Sequence, residues 1–154
     1  MPPSCTDLCR QHLTFMVWAD ERIAEAVAQH LPESLTTLQH IYLVEVVWFD
    51  RVLGNEAALI TQYTAPGTIG ELLAALREIH AKWLAWSMDT EDFEVTIPHR
   101  NQKGEPFQMP AWQIVLHVVN HGSYHRGQVA AKLRAAGFAP PATDLIVWYR
   151  EQGQ

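Results

Sequence analysis

Cysteine is nearly missing from this 154-residue chain, which has only Cys5 and Cys9. So few exclude the disulfide framework that staples small secreted domains. The two stand four residues apart near the start of the first predicted helix. Two reduced thiols is the plain reading, with a redox pair or a small metal site as the alternative. Positive charge is also scarce: 11 Lys and Arg against 17 Asp and Glu give −6. The basic residues are scattered singly, so attraction to a phosphate backbone has little to act through, and a nucleic-acid partner is not expected. Long apolar runs are missing too; none approaches the roughly 18 residues that span a bilayer. The opening MPPSCTDLCRQ lacks the basic and apolar regions of a signal peptide. A cytoplasmic protein with no membrane partner is the expectation.

What is present is 48% hydrophobic residues with 18% charged, enough to bury a core in one domain over residues 1–154. Thr6 and Asp7 offer a cap for a helix with apolar positions from Leu8 to Val27, ending near His30 before LPES. Ser34 or Thr36 can cap a second helix that ends at Gly54. Thr68, in the capping-box pattern TIGE, starts a third that runs to Asp89. Between residues 92 and 109 the runs FEVTIPH and EPFQM flank RNQKG and read as a hairpin, with Pro98 and Pro106 keeping it at an edge. Pro110 suits the first turn of a last long helix closing at Gly137, and DLIVWYR supplies a short terminal helix. The predicted fold class is all-α: a four-helix bundle with a hairpin insertion before the last long helix.

The chemistry concentrates in HVVNHGSYHRGQ, residues 117–128. Ile114, Val118, His121, His125, Val129 and Leu133 follow three- and four-residue steps, a stripe predicted to face the core. Residues four apart differ by about 40° around a helix and about 6 Å along it, so His121 and His125 can converge on one ion. His40, on the stripe His40, Val44, Val47 of the second helix, is the best third ligand. Three neutral imidazoles with an open position suit Zn, Ni or Fe(II). Buried histidines satisfied without metal are the competing reading. His117 could be a neighbour of the ligands, an alternative ligand or polar core. His12, His30, His80 and His99 lack the spacing and are read as non-ligands. Glu45 and Asp20 are read as solvated surface. Gly122 and Gly127 each cost about 1 kcal/mol against Ala in a helix interior, so close packing or room for a ligand must offset them. The position after the first histidine of the pair is Gly122, where a zincin carries its Glu, so that peptidase mechanism is disfavoured.

MVWADERI, LQHIYLVEVVWFDRVLG, PAWQIVLHVVNHGSYHRGQ and DLIVWYRE together resemble the DinB-like (DinB/YfiT) family. The likeness covers nearly the whole chain, and HVVNHGSYHRGQ is its specific part. It implies a four-helix bundle, often a homodimer, with a divalent metal held at the positions of His40, His121 and His125. It also implies chemistry with a low-molecular-weight thiol as co-substrate, since better understood relatives include bacillithiol S-transferases and a mycothiol-dependent maleylpyruvate isomerase.

The leading expectation is therefore a metal-dependent S-transferase acting on a small electrophilic molecule. The metal would lower the thiol's pKa. Asn120, Tyr124 and Arg126 flank the ligands and could orient substrate, although structural roles are the plainer reading. A metal-dependent hydrolase and a non-catalytic metal-binding or structural dimer are the alternatives.

Overall fold

The computed structural model describes residues 1–153. Four long helices form the bundle: α1 (Cys5–His30), α2 (Thr36–Val52), α3 (Ile69–Asp89) and α4 (Ala111–Ala135). A 3-10 turn over Ile60–Gln62 follows α2, strands β1 (Thr96–Arg100) and β2 (Pro106–Pro110) precede α4, and α5 (Leu145–Glu151) ends the chain. α1 and α2 each pack against both α3 and α4, so the order around the bundle is α1, α3, α2, α4.

The helix starts show where local chemistry acts and where packing does. Ser4 caps α1 in a full capping box with Asp7, earlier than the expected Thr6–Asp7 start because Asp7 serves as the box's third residue. Thr68 caps α3 as expected, its hydroxyl accepting from the Glu71 N–H. Neither Ser34 nor Thr36 caps α2; Leu35 holds that position without a side-chain cap. Its side chain packs on the core beside Leu38, so burial sets this start. Pro110 is the residue before the first turn of α4, one place earlier than expected. Gly54 and Gly137 take φ of +99° and +89° just past α2 and α4, a conformation that favours glycine.

The hairpin is antiparallel and two-stranded, with Pro98 opposite Gln108. Gly104 at φ +79° and the Asn101 side chain, which accepts from the N–H groups of Lys103 and Glu105, make its turn. Phe93 and Ile97 bury against the bundle. Arg51 at the end of α2 fastens it, donating to the carbonyls of Ala58 and Arg100 at 2.9 and 2.7 Å while its guanidinium lies on Trp48.

The hydrophobic core is in two parts. One contains Leu13, Met16, Trp83, Val115, Val118 and Trp148. The other contains Ile23, Val27, Leu38, Leu76, Val129 and Leu133. Between them, at one level of the bundle, each helix contributes a buried polar side chain: Asp20, Glu45, His80 and Arg126. Asp20 and Glu45 are therefore interior, contrary to their reading as solvated surface. Each stands on its helix's apolar line, Leu13–Met16–Asp20–Ile23–Val27 and Leu38–Ile41–Glu45, and each meets a cationic or imidazole partner from a facing helix.

Candidate metal centre

The core line of α4 runs through Val115, Val118, Gly122, Arg126, Val129 and Leu133, all buried. His121 and His125 stand one residue round from Gly122 and Arg126, about 100° on the helix, and are half-buried. The stripe drawn through them as core-facing is thus corrected: they lie on the side of α4 that packs on α2. The cause is the Arg126–Asp20 pair, which claims the inward direction.

α2 presents His40 to that side, half-buried. Ring nitrogens of His40, His121 and His125 all lie within 4.8 Å of one another, and the Nε2 atoms of His121 and His40 are 3.1 Å apart. Ligand nitrogens about 2.0–2.1 Å from a tetrahedral ion stand about 3.3 Å apart, so the donor set fits a divalent cation after small rotations. Among the described residues no fourth His, Cys, Asp or Glu joins the three, which leaves a coordination position for an outside ligand. Gln128 aims one donor: its Oε1 can only accept, so His125 Nδ1, at 2.8 Å, donates and leaves Nε2 free.

Burial and neighbouring imidazoles favour the neutral form of His121 and His40. Burial and the neighbouring His125, His40 and His117 push His121 down to about 4, and burial with His125 lowers His40. Neutral imidazole is the form that binds metal.

His117 is outside the group. Its ring lies 6.1 Å from that of His121 and 5.2 Å from Trp48, and burial followed by Arg51 lowers its pKa. Trp48 also meets His99 at 4.9 Å, so these aromatics extend the surface beside the centre. Of the flanking candidates, Tyr124 is exposed with its ring edge against His125. Asn120 faces elsewhere, into a groove of about 850 Å³ between α4 and the segment 140–145. That groove lies on roughly the opposite side of α4 from the histidines, given about 100° per residue.

Gly122 has a packing reason: a Cβ there would meet Arg126 Nη1 at 2.9 Å and Asp20 at 3.4 Å, whereas one at Gly127 would meet nothing within 4 Å. Cys5 and Cys9 are free thiols, and burial, then Cys5, pushes Cys9 up to about 12.

Residues 8–153 match the sequence profile of the DinB family. The chain belongs to this family. Protein DinB of Bacillus subtilis (strain 168) is 25% identical over 149 residues, covering 84% of this chain and 87% of the relative. This DinB-family chain thus carries a three-histidine group positioned to hold a metal ion, and no helix among its described residues is long and apolar enough to cross a membrane.

The residues that spacing missed are Gln128, which orients His125, and the interior set of Asp20, Glu45, His80 and Arg126. The usable signal for the set was a polar residue at a three- or four-residue step on an apolar line in all four helices.

Proposed function

We propose that this protein is a divalent-metal-dependent enzyme that joins a low-molecular-weight thiol to a small electrophilic molecule at the His40, His121 and His125 centre. One observation carries the reading: three imidazole donors converge at a half-exposed edge with no fourth His, Cys, Asp or Glu among the described residues, the arrangement of a reactive rather than a closed structural site. When bound, a divalent cation supplies the acidity that makes a thiol a nucleophile at neutral pH. The chain's own part is to bind and orient. Gln128 fixes the His125 ring, while Trp48 and His117 wall one side of the centre. Tyr124 stands exposed beside His125, its hydroxyl free to meet a polar substrate group. The reaction class is attack of sulfur on an electrophilic carbon. The C–S bond forms, the leaving group departs with its electron pair, and the thiol proton passes to water.

Cobalt substitution tests the reading. Addition of a small thiol to the cobalt protein should produce a sulfur-to-metal charge-transfer band, absent from His121→Ala. Intact cobalt with no spectral response to any of a panel of thiols overturns it. Ester or amide hydrolysis by that same unresponsive protein would favour a hydrolase.

A further inference from the structure

Below the surface centre lies a set of groups with no role in it. Asp20 is 0% exposed, His80 1% and Glu45 2%. Arg126 Nη1 donates to Asp20 Oδ1 at 2.6 Å, which leaves Asp20 Oδ2 turned away from it without a hydrogen-bond partner. Among the described residues neither oxygen of Glu45 nor the Nε2 of His80 makes a hydrogen bond, and the ion-pair contact between Glu45 Oε2 and His80 Nε2 leaves Glu45 Oε1 with no polar partner. One donor atom from each of the three residues falls within 4.8 Å of the others. His80 Nε2 is 3.1 Å from Glu45 Oε2 and 4.0 Å from Asp20 Oδ2. Carboxylate oxygens left without a hydrogen bond in the interior are costly unless something compensates them.

We propose that Asp20, Glu45 and His80 form a second divalent-cation site, distinct from the three-histidine centre, suited to Mn(II), Fe(II) or Zn(II). Two carboxylates and one imidazole are a donor set for these ions. A second observation points the same way. The other nitrogen of His80, Nδ1, is 3.0 Å from Glu21 Oε1 at the rim. A carboxylate accepting from the far nitrogen of a histidine is what orients a metal-binding imidazole and turns its lone pair inward. Arg126 fixes Asp20 in turn, and the missing Cβ of Gly122 makes room for that pair.

A proton is the rival occupant. Burial opposes a charge on His80, but Glu45, Glu21 and Asp20 around it outweigh burial and push its pKa up to about 10. A proton on Nε2 serves Glu45 Oε2, 3.1 Å away, and a second on Glu45, which burial pushes up to about 8, can serve Asp20. A cation meets Asp20 Oδ2, a Glu45 oxygen and the His80 lone pair together.

Metal content of the full-length protein decides between them. The chain is produced in medium supplemented with Mn(II) or with Zn(II), washed with chelator and assayed for metal per chain. The expected result is two equivalents for the native sequence, one for the double variant His121→Ala/His125→Ala, and one for Glu45→Gln, the last lost from the interior. A folded double variant with no bound Mn(II) or Zn(II) overturns the proposal, and proton and water then hold the cluster. Should Glu45→Gln fail to fold, the double variant still tests the site, since it leaves the interior untouched. Its Mn(II) spectrum by electron paramagnetic resonance should show a bound ion; an aquo-ion signal alone counts against the site. The two readings fail separately. One equivalent that disappears with the surface histidines defeats the interior site only, and one that survives their loss defeats the surface centre.

Discussion

The surface histidines and the interior polar layer sit at neighbouring levels of one bundle and handle charge in opposite ways. At the surface, three imidazoles crowd together with no acidic partner in their group, and burial and mutual repulsion hold His121 and His40 below the usual histidine range. In the interior, His80 is enclosed by Glu45, Glu21 and Asp20 and is pushed up instead, while burial drives Glu45 up to about 8 against the pull of His80. In the metal-free protein the same side chain is thus a lone-pair donor in one place and a charge partner in the other. What differs is the company each ring keeps, since like groups favour the neutral form and carboxylates the charged one.

The largest effect expected from breaking this contrast is in the interior. Arg126→Leu leaves the Asp20 carboxylate buried without its partner and should destabilise the metal-free protein by about 3–5 kcal/mol, measured by urea denaturation. A loss below about 1 kcal/mol would show that Asp20 does not depend on the pair. Raising the pH comes next. The folded pKa of His80 lies above its unfolded value, so its contribution is complete below about 6.5 and declines as pH rises through about 10. Glu45 and Asp20 from α2 and α1 and Glu21 at the rim face this group, and Arg126 from α4 pairs with Asp20. Melting temperature of the metal-free protein should therefore fall on the alkaline side, and His80→Gln should flatten that slope. An unchanged slope in His80→Gln would move the alkaline titration to another group.

Smaller and opposite effects are expected at two glycines of α4. Gly122→Ala should destabilise by about 1–3 kcal/mol, because its Cβ must displace the Arg126–Asp20 pair. Gly127→Ala, with open space around it, should stabilise by about 1 kcal/mol through helix propensity. Equal signs in thermal melts would mean that Gly122 is not held by that pair. The smallest effect on stability belongs to the surface centre. His121→Ala in the metal-free protein should stay within about 1 kcal/mol of the native sequence, yet lose most of the metal bound there by elemental analysis. His117→Ala should retain it, since that ring stands outside the group.

Much of this was legible in the residues themselves. The helix ends at Gly54, Gly137 and Thr68 follow from glycine's access to positive φ and from a hydroxyl reaching a free N–H. His121 and His125 meet because four residues make just over one helical turn, and His40 joins them as expected. Other features were not local. Leu35 starts α2 through the core it touches, and His125 depends on Gln128, a residue whose use shows only once the ring's direction is known.

Periodicity by itself determined that four helices form, that a hairpin precedes the last long one, and which histidines could share an ion. It could not determine which line of α4 faces inward, because the lines through His121 and His125 and through Gly122 and Arg126 are both apolar at their ends and differ by only one residue. Tertiary structure decided that. Arg126 finds Asp20 across the bundle, and a buried charge must be paired. That pairing turns α4 so that the histidines lie at the edge beside α2, open to an outside ligand, while Asp20, Glu45 and His80 close over one another in the interior.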